Sequence, residues 1–120
     1  MKQPVDVPCC ATEEHDENFL SRVEDAVLED AVSMLGAMAD TARMSILIIL
    51  HECGESCVSE IAQALGDKTN TVSMRLKKLY DAGLVSKRRD ARHIFYRLTD
   101  EHIVTIVRNV IEHVQHENAH

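Results

Sequence analysis

From Phe19 onward the apolar residues fall into two rhythms, one helical and one strand-like. Leu20, Val23, Val27 and Leu28 recur at spacings of three and four, and Val32, Leu35 and Met38 continue the pattern in a second helix. Asp40 is a good N-cap for the apolar run 41–50, which should be a buried helix. A connector containing Gly54 leads through Ser56 or Cys57 into a short helix over 58–65, stopped by Gly66. Residues 67–70 cap a further helix, 71–82, that ends at Gly83. Residues 84–87 and 94–98 alternate apolar and polar as strands do, with Arg88, Arg89, Asp90, Ala91 and Arg92 as the hairpin tip between them. Thr99 and Asp100 then cap a long helix over 101–115, apolar along Ile103, Val104, Ile106, Val107, Val110, Ile111 and Val114.

The expected fold is therefore mainly α with a small β-hairpin. Two short helices followed by a two-stranded hairpin describe a winged helix-turn-helix, dimerised through terminal helices. Val58, Ile61, Ala62, Leu65, Val72, Leu76, Leu79, Leu84 and Val85 are its expected core. The 120 residues suffice for one domain, and with 3% aromatics and no Trp the core has to come from aliphatic side chains. Residues 1–17 hold both prolines, Cys9 and Cys10 and several acids, and read as a flexible arm before a domain over 18–120.

The longest apolar run, 46–50, is far too short to cross a membrane, and the N-terminal segment has no apolar signal core. A cytoplasmic location and reduced thiols are expected. In that setting Cys9, Cys10, Cys53 and Cys57 read as metal or redox ligands before they read as disulfides, the plainer alternative being small buried apolar residues.

The net charge of −7 looks unfavourable for nucleic acid until its distribution is examined. Residues 68–97 hold nine basic and two acidic residues, a local +7, while the rest of the chain holds four basic and eighteen acidic ones, −14. A basic segment on an acidic body is the footprint of a duplex-binding face. The second helix of the pair carries Asn70, Thr71, Ser73, Met74, Arg75, Lys77 and Lys78. Small polar groups at its start suit base edges, and the later bases suit phosphates. Lys87, Arg88, Arg89 and Arg92 of the hairpin suit phosphates or the minor groove. Each feature alone could be ordinary solvated surface; their order and charge segregation argue for double-stranded DNA.

The last helix carries the remaining chemistry. At about 100° per residue, His102, His113 and His116 lie on one stripe beside the apolar face, with Asp100 at the helix start. His102 and His113 are about 16 Å apart along the axis at 1.5 Å per residue, too far for one ion within one chain. Two such helices packed antiparallel would bring Asp100 and His102 of one copy to His113 and His116 of the other, a four-ligand site repeated by a two-fold axis. Three imidazoles and a carboxylate suit Zn(II) or Co(II) better than a soft ion. The plain alternative is that these are surface histidines. His15, His51 and His120 have no comparable placement, and His93 reads as structural or DNA-facing. A closed four-ligand site leaves no position for a small organic substrate, and no nucleophile and base are spaced for catalysis, so an enzyme is not expected.

The ordered run of these features resembles the ArsR/SmtB family of metal-sensing repressors over residues 30–117. The resemblance rests on Ala39-Asp40-Thr41-Ala42-Arg43, on 56–62, 71–79, 83–85 and 92–98, and on the Asp-x-His-x10-His-x2-His pattern of 100–116. It implies a repressor homodimer on an imperfect inverted repeat, released when metal binds, which frees metal efflux or sequestration genes. It also implies that His113 hydrogen-bonds through its second ring nitrogen toward the backbone near the end of the recognition helix. Cys57 stands where the family carries the Cys of a thiol-rich site that arm cysteines complete. Here Cys9 and Cys10 would be those partners, and Cys53 would substitute for the second Cys often found two residues after Cys57, a position that Ser59 occupies. Such a site would take Cd(II), Pb(II) or Cu(I), as well as Zn(II). Met74 stands where a His is common. Two other readings remain open: a repressor switched by thiol oxidation, and a metal-storage or delivery module, which would leave the +7 segment without a role.

Overall fold

The computed structural model describes residues 18–118, and the contacts divide the chain into two units, one ending at Ala31 and the other beginning at Val32. The arm cysteines Cys9 and Cys10, with His15 and His120, lie outside the described residues.

In the first unit the expected opening helix is interrupted. A single turn and a half, α1 (Asn18–Arg22), stops before Glu24, and α2 (Asp25–Met38) starts with an acid in its first turn. Val27 and Leu28 therefore belong to α2, not to the helix of Leu20. Phe19, Leu20, Val27 and Leu28 are all exposed.

The second unit is built around α3 (Thr41–Cys53). The Asp40 carboxylate accepts from the Arg43 backbone N–H at 2.9 Å, the N-cap read from the sequence, and Ile46, Leu47 and Leu50 are buried along one face. Residues Ser56–Cys57 form a two-residue strand, β1, that passes directly into α4 (Val58–Leu65). The α4 helix ends at Gly66, whose φ of 70° is left-handed, with the Asp67 N–H donating back to the Ala62 carbonyl at 3.0 Å. The α5 helix (Thr69–Asp81) starts two residues earlier than expected and buries Val72, Leu76 and Leu79.

Strands β2 (Val85–Asp90) and β3 (His93–Leu98) pair antiparallel, Val85 opposite Leu98 and Asp90 opposite His93. The strands run further than the sequence pattern suggested. Arg88 and Arg89 lie on β2, and only Ala91 and Arg92 remain as the tip, Ala91 with a φ of 59°. The sheet has three strands in the order β1-β3-β2, with Ser56 opposite Tyr96 and Cys57 opposite Phe95. The expected two-stranded hairpin thus gains a strand, which ties the wing to the start of α4. Thr99 closes the base of the wing, its hydroxyl donating to the Gly83 carbonyl at 3.0 Å. The chain finishes in α6 (Glu101–Asn118), which buries Ile103 and Val107 against the core. Every expected core position is buried except Val58 and Leu65, which are half-buried against it. The architecture is a winged helix-turn-helix. No single described helix is long and apolar enough to cross a membrane.

Candidate nucleic-acid interface and metal-binding residues

The buried stripe of α5 turns the rest of the helix outward. Asn70, Ser73, Met74, Lys77 and Lys78 are exposed, while Thr71 and Arg75 are half-buried. Several of the bases already have partners within the chain. Arg75 Nη1 donates to Asp67 Oδ2 at 2.7 Å, and Lys77 Nζ to Asp81 Oδ2 at 2.9 Å. On the wing, Lys87 Nζ sits 4.3 Å from the centre of the Tyr80 ring. Arg88 meets the Glu55 carboxylate with two nitrogens, each at 2.8 Å, and its guanidinium lies 4.8 Å from the Phe95 ring centre. Arg88 thereby holds the Glu55 carboxyl below its ordinary pKa, and Glu55 raises that of Arg88. Among the described residues, Lys78, Arg89 and Arg92 make no ion pair. The surface of α5 and the wing is thus a mixture of cations open to phosphate and cations held in exposed pairs, which are weak and readily exchanged. Glu55, Tyr80 and Phe95 are the participants that sequence reading missed. Glu55 and Arg88 are 33 residues apart, and no local pattern links them.

The α6 helix sorts its side chains into three stripes. Ile103 and Val107 are buried, with Ile111 packed beside them. Ile106, Val110 and Val114 form a second apolar stripe that stays 37–50% exposed. His102, His113 and His116 form the third, exposed stripe, and at about 100° per residue it borders the second. The apolar face read from the sequence as one is therefore divided between the chain's own core and an open seam.

At the start of α6, Asp100 Oδ1 accepts from the His102 backbone N–H at 2.8 Å and lies 3.1 Å from His102 Nδ1. Carboxylate and imidazole are thus held together at one end. At the other end His113 Nε2 lies 4.0 Å from Glu117 Oε2. Among the described residues of one chain, no three His, Cys, Asp or Glu side chains come together to hold a metal ion. Imidazole and carboxylate are donors that zinc accepts, and in one chain Asp100 and His102 stand at the start of α6 while His113 and His116 lie near its end.

Of the thiols, Cys57 is buried, 8% exposed, at the N-cap of α4. Its Sγ lies 3.3 Å from Ser59 Oγ, and its backbone N–H donates to Glu60 Oε1 at 3.0 Å, which holds the Glu60 carboxyl below its ordinary pKa. Cys53 is exposed in the last turn of α3, and both thiols are free.

Residues 40–87 match a family model described as bacterial regulatory protein, arsR family. Over 87 residues the chain is 37% identical to the HTH-type transcriptional repressor SmtB of Mycobacterium tuberculosis, covering 72% of this chain and 64% of the relative. The chain thus spans just under two thirds of that relative's length. It is 30% identical over 84 residues to a cadmium resistance transcriptional regulatory protein, CadC homolog, of Staphylococcus aureus, covering 70% and 69%. A solved homodimeric winged helix-turn-helix DNA-binding domain from Mycobacterium bovis, described as a possible ArsR-family transcriptional regulator, superposes with a TM-score of 0.67 at 32% identity, covering 77% of this chain and 83% of that one.

Proposed function

The chain belongs to the ArsR family of bacterial regulatory proteins, and from that premise we propose that it is a metal-responsive transcriptional repressor that binds operator DNA as a homodimer. The observation that carries the reading is the arrangement of α6: an exposed apolar seam, Ile106, Val110 and Val114, bordered by the stripe of His102, His113 and His116. Two copies of the helix packed antiparallel along that seam would bury the apolar residues. The same packing would set the preformed Asp100–His102 pair of each chain beside the partner helix's other end. The names of the relatives support it, SmtB as a repressor and the CadC homolog as a regulator of cadmium resistance. So does the +7 segment, which maps onto α5 and the wing.

Zn(II), when bound, would supply a cross-link between the two chains at Asp100, His102, His113 and His116. The chain's own contribution is to hold Asp100 and His102 as one half-site at the start of α6 and to present the other half near its end. Because α6 packs on α3 and α3 on α5, a change in the angle at the seam would alter the spacing of the two recognition helices. DNA binding would use Asn70, Thr71, Ser73, Arg75, Lys77 and Lys78 of α5, and Lys87, Arg88, Arg89 and Arg92 of the wing. Cys57, with Cys53 and the arm residues Cys9 and Cys10, is proposed as a second site for Cd(II), Pb(II) or Cu(I). The protein would work in the cytoplasm.

The deciding experiment is operator binding titrated with Zn, Cd, Pb and Cu(I). Wild type is expected to lose DNA affinity with zinc, and His113→Ala to bind DNA normally without responding. If His113→Ala still releases DNA with zinc and Cys57→Ser does not, the sensor is the thiol site. Release on mild oxidation without metal would identify a redox switch instead, and metal uptake with no DNA binding a storage module.

A further inference from the structure

Met74 is 70% exposed on α5. At about 100° per residue it points 140–160° away from each of the buried residues Val72, Leu76 and Leu79, close to the centre of the outer face. Asn70 lies one turn before it, and Lys77 and Lys78 one turn after. A single exposed methionine is ordinary. What sets this one apart is its position among polar and cationic side chains at the middle of the helix that the wing flanks. The other large apolar side chain exposed on α5, Tyr80, lies beneath Lys87.

We propose that Met74 reads the 5-methyl group of thymine in the major groove and so sets base preference at one position of each operator half-site. The inference rests on the DNA-binding reading above and deepens it. The thioether side chain donates no hydrogen bond and accepts only weakly, so it gains little from the guanine O6 and N7 that arginine would read or the adenine N6 and N7 that asparagine would read. Thymine is the one standard base that offers an apolar group in that groove. A flexible, polarizable side chain can follow that methyl over a range of positions.

The test starts from a random duplex library, so the operator sequence emerges from the selection itself. Duplexes bound by the wild-type protein are enriched, and each thymine of the enriched sequence is then replaced singly by uracil, which removes only the methyl. One thymine per half-site is expected to show an affinity loss of about fourfold on replacement, the worth of burying one methyl group. Met74→Ala should bind the thymine duplex about fourfold more weakly per half-site and bind thymine and uracil duplexes equally. Its melting temperature and the salt dependence of its binding should match wild type, because the side chain is exposed and uncharged. The assignment is overturned if no thymine is sensitive to uracil, or if Met74→Ala keeps the full thymine preference. A library in which nothing is enriched overturns the DNA-binding reading and this inference together. Enrichment without methyl sensitivity overturns this inference alone.

Discussion

Replacing Val110 by Asp places a charge at the middle of the α6 seam. Ile106, Val110 and Val114 are left 37%, 50% and 48% exposed by the chain's own packing. Full burial of such a side chain contributes about 1.5–3 kcal/mol, so covering the remaining half is worth roughly 1 kcal/mol each. Three positions on each of two chains then supply about 6 kcal/mol of gross association free energy, of which the two Val110 side chains carry about 2 kcal/mol. Val110→Asp removes that share and sets two carboxylates in the covered seam, where burying each unpaired costs a further 1 kcal/mol or more. A total near 4 kcal/mol corresponds to on the order of a thousandfold weaker association. Sedimentation equilibrium over a concentration series should show the wild type as a dimer and Val110→Asp as a monomer. Far-ultraviolet circular dichroism should show retained helix, since the site is half-exposed in the single chain. Zinc affinity should fall with the dimer, because His113 and His116 would no longer face Asp100 and His102. A Val110→Asp protein that remains dimeric at low micromolar concentration would refute the seam, and one that dissociates yet binds zinc with undiminished affinity would refute the shared site.

Two further outcomes follow from the ion pairs and the α4 cap. Glu55→Gln should release Arg88 toward phosphate, giving tighter nonspecific duplex binding and a steeper dependence of log K on log salt, by up to about one unit per wing; an unchanged slope would show that Arg88 does not reach DNA. Glu60→Ala should lower the melting temperature at pH 7. The Cys57 N–H holds the folded carboxyl below its ordinary value of 4.5, so the contribution is present above that value and is lost as pH falls through the lowered folded pKa. The gap between wild type and variant should therefore close in acid, and a gap independent of pH would contradict the assignment.

Much of this protein is legible in its sequence because it depends on local spacing. The period of 3.6 that aligns Val72, Leu76 and Leu79 is the same rule that aligns His102, His113 and His116, and any helix drawn through those residues has those faces. The Asp40 cap, the Gly66 stop and the charge segregation between 68 and 97 are local in the same sense. The sequence alone also separates the two halves of the proposed metal site, since distance along a helix follows from residue count.

Tertiary structure decided what joins distant residues. A two-residue strand has no periodicity to detect, so β1 exists only because Ser56 and Cys57 meet Tyr96 and Phe95 across the sheet. Once that pairing forms, Glu55 is held beside Arg88, and a base that reads from the sequence as open to DNA is found in an ion pair. The division of the α6 apolar face likewise depends on α3, which covers Ile103 and Val107 and leaves Ile106, Val110 and Val114 outside. Hydrophobic spacing marks which residues avoid water. Which of them the chain buries itself, and which it leaves exposed, is settled only by how its helices pack.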